Sequence, residues 1–442
     1  MTPKRNTDSR RLLILASKLG YQTRGFAEAA EKLGVEVVFG TDRCHQLEDP
    51  WADGALALHF EDPEVAGELI LKRAHKLPIH AILALGDRPM LTAAHAAPAI
   101  GLTYNSVESV EVSRDKLRQR EVLRAARLPV PEFFSFRLSE DPSVVARRVT
   151  FPCVVKPLRL AASQGVIRAN DEAEFVAAVE RVQRLLESPE IRVLREPGQN
   201  RLLVERYIPG PEVAVEALLT HGRLRILAIF DKPDPLEGPY FEETIYVTPS
   251  RLPREVQSKL ENCLARTVEA IGLTHGPLHA EFRTNEAGPW VLEVQPRPIG
   301  GLCSRALRFG QLVAPVGEGV INLEELLVRH ALGLERTSLL REAQASGVMM
   351  IPIPQSGLLE SVEGMEEAQR TPLVEEIQIT ARVHDYIAAW PEGSSYLGFI
   401  FARGDSPGKV EAALRASHSK LRFVLTPRLP VEHPVTGRVS QS

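Results

Sequence analysis

Two strand-like segments in the middle of the chain, residues 279–283 and 290–297, carry an unusual set of polar side chains. The residues between them, 285–289, are rich in turn formers. The pattern predicts an antiparallel hairpin in which Glu281 and Glu293 face each other. Like charges directly opposite on paired strands destabilise a sheet. A divalent cation between the carboxylates removes that penalty, and magnesium, which proteins hold through few carboxylates together with substrate phosphates, is the predicted ion.

Two further side chains follow Glu293 at short spacing. Gln295 offers an amide oxygen as a third candidate ligand, and Arg297 adds a cation that stays charged at neutral pH. The sequence of the hairpin therefore predicts a single site that combines metal ligands with a permanent positive charge.

The bulk properties exclude several classes of protein. At 442 residues, 44% hydrophobic and 25% charged, the chain has the length of two or three ordinary globular domains. A net charge of −4 argues against nucleic acid as a partner. The four cysteines are scattered without a C-x-x-C pair, which predicts free thiols in a reducing compartment. No apolar run approaches 18 residues, so no membrane association is expected and the cytoplasm is the predicted location.

The first hundred residues alternate strand and helix patterns. Strands are predicted at 12–16, 35–39 and 79–85, and helices at 24–33 and 63–76. This alternation predicts a doubly wound, Rossmann-like parallel sheet, which we assign to residues 1–112. The glycine fingerprint of a dinucleotide site is absent after the first strand.

Two further domains are predicted after this region. Residues 113–345 form the central one, with a lid at about 150–208, and residues 346–427 form a small α+β domain. The predicted helices lie at 113–127 (with Ser113 as N-cap), 171–187, 254–271, 304–309, 318–332 and 406–417. The predicted strands lie at 151–156, 201–208, 212–220, 223–230, 347–354, 373–380 and 396–403. Residues 188–200 are expected to form an exposed loop, and residues 428–442 a disordered tail.

A lysine and a small-residue loop suggest phosphate binding. Lys156 closes an apolar strand and is followed by proline, which projects its ammonium beyond the strand end. Residues 161–166 form sterically open backbone whose N–H groups could wrap phosphate oxygens. Taken singly, a surface lysine and a plain hairpin turn explain these features equally well.

The segment 203–212 suggests a nucleotide base. It is predicted to be an edge-like strand that ends in Pro-Gly-Pro, leaving unpaired backbone groups at 206–208 that suit the edge of an adenine. Glu212 follows closely enough to accept from ribose hydroxyls. Read alone, Glu205 and Glu212 are more often solvated charges.

These features together resemble the ATP-grasp ligases, which join a carboxylate to an amine through an acyl phosphate. The similarity is greatest to the L-amino-acid (dipeptide) ligases, whose architecture is related to biotin carboxylase. It covers about residues 12–427 and is densest from Glu281 to the Gly300-Gly301 pair. The resemblance implies an ATP-grasp fold with an N-terminal Rossmann-like domain and a small C-terminal α+β domain.

The resemblance also implies a role for each matching residue. Lys116 and Lys156 match the lysines on the nucleotide phosphates, and Ser163, Gln164, Gly165 and Val166 match the mobile phosphate loop. Glu205, Tyr207 and Ile208 match the adenine-holding hinge, with Glu212 on the ribose. Glu281, Glu293 and Gln295 match ligands of magnesium (manganese being an alternative), and Arg297 matches the arginine that steadies the transferring phosphoryl group. Candidates for substrate contact are His279, Gly300, Gly301 and Arg305, with the polar and aromatic segments 231–234 and 240–243.

Three departures from the family pattern bear on function. Gln295 stands where asparagine is usual, and the phosphate loop has one glycine where relatives often have several. A Glu432-His433-Pro434 segment echoes biotin carboxylase, but it lies more than 100 residues after the arginine strand that it follows there, which argues against bicarbonate activation.

The expected activity is ATP- and magnesium-dependent ligation of an amino acid or similar small acid to an amine. Bicarbonate activation and a nucleotide-binding module without turnover remain as alternatives. The expected partners are these small molecules, and a homodimer is left open.

Overall fold

The computed structural model describes residues 10–17, 21–42, 54–310, 319–334, 339–427, 431–432 and 439–440. Among these residues, no helix is both long and apolar enough to cross a membrane. The three cysteines in the described part of the chain, Cys153, Cys263 and Cys303, are buried free thiols.

The N-terminal region is a parallel four-stranded sheet with helices packed on it. Its elements are β1 (Arg11–Ala16), α1 (Tyr21–Lys32), β2 (Glu36–Thr41), β3 (Ala55–Ala57), α2 (Pro63–Lys76), β4 (Ala81–Leu85) and α3 (Pro89–Ala99). The strand order is β3-β2-β1-β4. Strands β1 and β4 are buried at every position, because helices cover both faces of the sheet. The prediction of a doubly wound α/β region is confirmed, and the carboxyl ends of β1 and β4 lie side by side.

The predicted helix at 113–127 is two helices, α4 (Val107–Arg114) and α5 (Lys116–Ala125). Asp115 breaks the helix with extended backbone and accepts from the N–H groups of Leu117 and Arg118, so it is the N-cap of α5. The predicted cap, Ser113, lies inside α4 and donates its hydroxyl to the carbonyl of Ser109. The prediction was wrong because both residue types cap helices, and only the tertiary fold selects between them.

The lid is a second four-stranded sheet covered by a long helix. It contains β5 (Phe133–Arg137), α6 (Pro142–Ala146), β6 (Cys153–Pro157), β7 (Ile167–Ala169), α7 (Glu172–Glu187), α8 (Pro189–Arg192) and β8 (Arg201–Arg206). The order is β5-β8-β6-β7, so β8 is an interior strand and the edge-like strand predicted for this segment was wrong. The short helix α8 also interrupts the loop predicted at 188–200.

The central sheet begins with β9 (Glu212–Thr220), β10 (Arg223–Lys232) and β11 (Ile245–Thr248), then continues after α9 (Arg254–Ile271) with β12 (Gly276–Asn285) and β13 (Gly288–Gln295). The apolar side of α9 packs on β12 and β13, forming a core with Leu264, Phe282 and Val291. The hairpin of β12 and β13 is therefore anchored from one face, and its polar side chains are held in fixed positions.

The remaining elements correct two predicted helices. A 3₁₀ turn at Cys303–Ala306 precedes β14 (Arg308–Gly310), where a helix at 304–309 was predicted, because the segment pairs with β15 (Ile321–Asn322) and β16 (Leu340–Arg341). The helix predicted at 318–332 is shorter, α10 (Leu323–Ala331), because Asn322 caps its start. Residue 318 lies outside the described residues.

The third region is α+β, as predicted. It comprises β17 (Ala345–Ile351), β18 (Gly357–Glu363), α11 (Met365–Gln369), β19 (Val374–Ile379), β20 (Tyr386–Ile387), β21 (Gly398–Gly404), α12 (Pro407–His418) and β22 (Arg422–Thr426). One eight-stranded sheet, in the order β13-β12-β9-β10-β11-β17-β21-β19, joins it to the central region. Of the tail predicted to be disordered, β23 (Val431–Glu432) and β24 (Val439–Ser440) pair, and the other residues lie outside the described part.

Candidate active site

A cavity of about 340 Å³ lies where the N-terminal region, the lid, the central sheet and the third region meet. We name two sides of it by the residues that line them. The hinge side comprises Val154, Lys156, Glu205, Arg206, Tyr207, Ile208 and Leu292. The switch side is named for the point where the strand order of the N-terminal sheet reverses, and it comprises Gln22, Gly86, Asp87, Arg297, Ile299, Gly300, Gly301, Ser394, Ser395 and Tyr396. Lys116, Glu212, Glu243, His279, Glu281, Glu293 and Gln295 also line the cavity.

The acidic hairpin forms as predicted, with Glu281 directly opposite Glu293. The register shifts immediately after Glu281, so the strands bulge at this point. A lysine attends each carboxylate: Lys232 donates to Glu281 at 2.8 Å and Lys116 donates to Glu293 at 3.2 Å. These ammonium groups offset the repulsion between the facing carboxylates.

Lys232 lies among three carboxylates, those of Glu212, Glu243 and Glu281, whose oxygens are within 4.8 Å of one another. Its ammonium is 2.8 Å from both Glu212 and Glu281. Burial alone would lower the pKa of Lys232, but the three carboxylates outweigh it and raise that pKa well above its usual value. Burial also raises the pKa of Glu243 to about 7. The cluster thus concentrates negative charge around one protein cation.

The hydrogen bonds of Gln295 indicate whether a metal ion fits the hairpin. Its amide nitrogen donates to Glu293 at 2.5 Å and to the carbonyl of Ser113 at 3.0 Å. Its amide oxygen is buried and has no hydrogen-bond partner in the described part of the chain. A buried oxygen left unpaired carries a desolvation cost that a cation would remove. Two carboxylates and an amide oxygen are the ligands that magnesium prefers, so the residues present fit the ion.

Glu205 is the centre of a buried ion triad. Lys156 and the Nε of Arg120 each lie 2.6 Å from its carboxylate oxygens. Burial alone would raise the pKa of Glu205, but Arg120 and Lys156 outweigh it and lower that pKa to about 2. Burial lowers the pKa of Lys156, with Glu205 opposing. The side chain of Glu205 therefore orients Lys156 in the cavity.

The backbone of the hinge is more fully bonded than its sequence suggested. The N–H groups of Arg206 and Tyr207 donate to the carbonyls of Glu132 and Pro152, each at 2.9 Å. The carbonyl of Ile208 accepts from Arg283 at 2.8 Å. The prediction that these three groups are unpaired was wrong, because the segments before β5 and β6 pair with the two N–H groups and the side chain of Arg283 pairs with the carbonyl.

Two arginines, Arg168 and Arg283, contact Tyr207 of the hinge side, and Arg283 also contacts Glu212. The ring of Tyr207 lies within 4.1 Å of the Arg168 guanidinium and 4.9 Å of that of Arg283. Arg283 Nε also donates to Glu212 at 3.1 Å. Both Tyr207 and Glu212 are thus fixed at the cavity wall.

The phosphate loop is attached to the third region. Trp390 donates its indole N–H to the carbonyl of Ala162 at 3.0 Å, and the N–H of Gly165 donates to the carbonyl of Pro391 at 2.9 Å. The side chain of Gln164 donates to the carbonyl of Glu392 at 2.7 Å. Of the four loop residues singled out from the sequence, Ser163 and Val166 line the cavity.

The switch side holds Arg297, which forms an ion pair with Asp87. His279, which lies on β12 two residues before Glu281, pairs with Glu216. Burial alone would lower the pKa of His279, but Glu216 outweighs burial and raises it to about 9, so the imidazole is charged at neutral pH. Gly301 has φ +63°, and a Cβ there would meet the Phe399 ring at 3.0 Å. A side chain at this position would therefore press against the buried Phe399 ring.

Arg305 does not join the site. It donates to Glu376 at 3.0 Å, and both side chains are largely exposed (40% and 51%). The sequence predicted Arg305 as a candidate substrate contact. The 3₁₀ turn instead directs its side chain towards β19 at the surface.

Sequence reasoning missed Gln22, Gly86, Asp87 and residues 394–396. A signal existed for the first three. Ligands of open α/β sheets bind outside the carboxyl ends of the strands where the strand order reverses. Gln22 follows β1 and Asp87 follows β4, the two strands that flank this switch point.

Comparisons with known proteins agree with this architecture. Family models match residues 27–103 as an ATP-grasp N-terminal domain, 149–306 as an ATP-grasp domain and 349–426 as an L-amino acid ligase C-terminal domain 2. The chain therefore contains an ATP-grasp domain and an ATP-grasp N-terminal domain, in agreement with its fold and cavity. Its third region matches the C-terminal domain 2 of L-amino acid ligases.

Individual relatives are similar at modest identity. The crystal structure of an L-amino acid ligase from Bacillus licheniformis has a TM-score of 0.78 at 27% identity, covering 96% of this chain and all of that one. An N5-carboxyaminoimidazole ribonucleotide synthetase from Thermotoga maritima, at TM-score 0.65, 15% identity and 94% coverage, shares the fold alone. An alanine–anticapsin ligase from Bacillus amyloliquefaciens is 25% identical over 63% of this chain and 62% of its own length. The chain spans between 27% and 63% of the length of the first curated relatives that it matches.

Proposed function

We propose that this protein is an ATP- and magnesium-dependent ligase that joins a small carboxylic acid, such as an amino acid, to an amine and releases ADP and phosphate. The observation that carries the proposal is one cavity lined by two opposed carboxylates, two lysines and Arg297. An anionic triphosphate needs that set of cations, and the ligase relatives support the choice of reaction.

The first chemical step activates the acid. A carboxylate oxygen of the acid attacks the γ-phosphorus of ATP, the bond to the leaving ADP breaks, and an acyl phosphate forms. Such transfer depends mostly on positioning and charge neutralisation. Lys116 and Lys156 would hold the phosphates, and Arg297 would stabilise the charge on the transferring group.

The second step forms the amide. The amine nitrogen attacks the acyl carbon, the carbon–oxygen bond to phosphate breaks, and the nitrogen loses a proton. Water competes for the same carbon, so the site must exclude it during this step. The phosphate loop, with Ser163 to Val166, would cover the cavity for that purpose.

Glu281, Glu293 and Gln295 would hold magnesium, or manganese in its place. The ion supplies Lewis-acid neutralisation of the phosphate oxygens. The chain's own contribution is to position the three side chains: Lys232 and Lys116 hold the carboxylates, and Ser113 and Glu293 accept from the Gln295 amide nitrogen.

The hinge would hold the nucleoside. Glu205, Tyr207 and Ile208 line the cavity where an adenine is expected, and Glu212 would accept from the ribose hydroxyls. Since three backbone groups of the hinge already have partners, adenine must use the remaining groups or displace Arg283 from the Ile208 carbonyl.

The switch side would receive the acid and the amine, with His279, Gly300 and Gly301 at its wall. Arg305 is left out of the proposed site because of its exposed pairing with Glu376. The cytoplasmic location remains a prediction from the sequence, and the possibility of a homodimer is still open.

The test is a phosphate-release screen with MgATP over pairs of amino acids, amines and short acids, with the mass of each product measured. Ligation predicts phosphate only when both substrates are present, together with a product of their summed mass less water. ATP consumption in bicarbonate without an amine would favour the carboxylase alternative. Tight ATP binding without phosphate release under every mixture would favour the module without turnover.

A further inference from the structure

The short loop between β4 and α3 contacts both Arg297 of the cavity and Glu196 of the lid. Gly86 has φ +95°, a left-handed conformation that turns the chain sharply at the end of β4. The next two residues, Asp87 and Arg88, then make ion pairs with different partners. The loop belongs to the N-terminal region, yet Arg297 and Glu196, which pair with Asp87 and Arg88, come from other regions.

Asp87 fixes the orientation of Arg297. Its carboxylate accepts from Arg297 Nε, while Arg297 Nη1 donates to the carbonyl of Pro298 at 3.0 Å. The two side chains are only 15% and 14% exposed, so water screens the pair little. With Nε and Nη1 both bound, the plane of the guanidinium is set, and its remaining donors face a defined direction.

Arg88 connects the same loop to the lid. Its Nε donates to Glu196 at 3.3 Å, and its other end pairs with Asp42. Glu196, which follows α8 of the lid, also accepts from Arg114 at 2.9 and 3.0 Å. The Glu196 side chain is only 7% exposed. Two arginines from outside the lid, Arg88 and Arg114, form ion pairs with it. The position of the lid and the position of the Asp87 loop are therefore linked by direct contacts.

We propose, on the basis of the ligase function proposed above, that Asp87 is a positioning residue: it holds Arg297 in the orientation that phosphoryl transfer requires, and the Arg88–Glu196 contact fixes its loop when the lid is closed. Asp87 accepts from Arg297 and, when ionised, donates no hydrogen bond to a phosphate, so any effect of Asp87 on phosphoryl transfer passes through Arg297. This separates it from a residue that binds substrate directly.

The first test is Asp87→Asn, which keeps the shape and removes the charge. With MgATP and the amino acid pair that releases most phosphate from the unmodified protein, we expect kcat to fall about 100-fold, the loss typical of a misplaced catalytic group. The dissociation constant for MgADP, measured by calorimetry, should stay within about twofold, since the hinge and lysines are untouched. Asp87→Glu should recover part of the lost turnover. Asp405→Asn, at an exposed ion pair with Lys409, is the matched control and should change nothing.

A double-mutant cycle separates positioning from other roles. If Asp87 acts only through Arg297, Asp87→Asn should cost less than about threefold in an Arg297→Ala background. Fully additive losses would overturn the proposal. A rise in the KM for the amine with kcat unchanged would make Asp87 a substrate-binding residue and would also overturn it.

The lid contact has its own variant. Glu196→Gln keeps the shape but weakens the attraction to Arg88 and Arg114, and it should lower kcat less than Asp87→Asn does. A loss as large as that of Asp87→Asn would place the main effect in the lid and not in Arg297.

Failure of the ligase function is distinguishable from failure of this inference. If the unmodified protein binds MgADP but ligates no pair, the proposed function fails. Crystal structures of the unmodified protein and of Asp87→Asn, both with MgADP, then decide the positioning role. We expect the Arg297 guanidinium to be displaced in the variant, and an unchanged guanidinium would overturn the inference.

Discussion

The hinge side and the switch side of the cavity are built in different ways. The hinge side comes mostly from neighbouring strands of the lid, and its charged residues stand at recognisable spacings in the sequence. The switch side is assembled from four distant segments around residues 22, 87, 300 and 395. Triphosphate chemistry restricts residue types strongly, whereas a wall for a small acid can be built from many residues. The contrast shows that the residues expected to bind a nucleotide can be recognised from the sequence. The residues that line the substrate wall are brought together only by the packing of distant segments.

The largest expected effect is at the hairpin. Glu293→Ala removes a candidate metal ligand and the partner of Lys116, so ADP formation should fall below about one thousandth of its original rate. A coupled ADP assay measures it, and an unchanged melting temperature checks the fold. Glu286→Ala, exposed in the turn of the same hairpin, is the control. Turnover preserved in Glu293→Ala would remove the metal assignment.

Arg297→Ala tests whether this residue belongs functionally to the switch side. We expect kcat to fall about 10²–10³-fold, because a charged donor at the transferring group is lost. The affinity for MgATP, measured by calorimetry, should change little. Equal losses in turnover and affinity would instead make Arg297 a residue that binds the ground state.

Tyr396→Ala tests whether the two sides are independent. The ring lines the cavity and packs against Trp390 and Phe399, at 5.1 and 6.0 Å between centroids. Its removal should raise the KM for the acid about 5- to 30-fold, equivalent to about 1–2 kcal/mol of lost contact. The KM for ATP should stay constant. Tyr396→Phe keeps the ring and should restore the acid KM, and a shift in the ATP KM would contradict the division into two sides.

Trp390→Phe tests the attachment of the phosphate loop. The change removes one hydrogen bond to Ala162, worth about 1 kcal/mol, and should open the loop about fivefold more often. More water then reaches the acyl phosphate, so the ratio of phosphate released to amide formed should rise. Trp290→Phe loses a similar bond, to Asn285, outside the lid and is the matched control. An unchanged ratio in Trp390→Phe would show that this contact does not guard the reaction.

The smallest expected effect is at Arg305. Arg305→Ala should leave turnover and both KM values within about twofold, because exposed ion pairs contribute little. A large rise in the KM for the acid would instead identify Arg305 as a substrate contact, as the sequence predicted.

Much of the fold was predictable because its elements carry strong periodic patterns. The buried strands β1 and β4, the amphipathic helices α7 and α9 and the acidic hairpin all followed from local sequence. Short elements were missed or misassigned, including β7, β14 and α8, since a few residues carry too little pattern and tertiary pairing decides their state. The break at Asp115 is of the same kind.

The candidate site was predictable to a similar degree. The sequence placed Glu281, Glu293, Lys116, Lys156 and Arg297 together, and all five line the cavity. The partners that orient them were not foreseen: Asp87 for Arg297, Arg120 for Glu205 and Lys232 for Glu281. Such partners depend on which loops meet in space, and no local spacing encodes that. The catalytic roles themselves remain predictions until the variants are measured.

The continuous sheet from β13 to β19 limits where this chain can be divided. Shortening it before β17 would strip β11 of one neighbour and leave Ile245–Thr248 as an open, apolar edge. Exposed edges of that kind recruit other chains into aggregates. The third region is thus structurally inseparable from the central region, and engineering by exchange of this region must carry β17 and β21 as a unit.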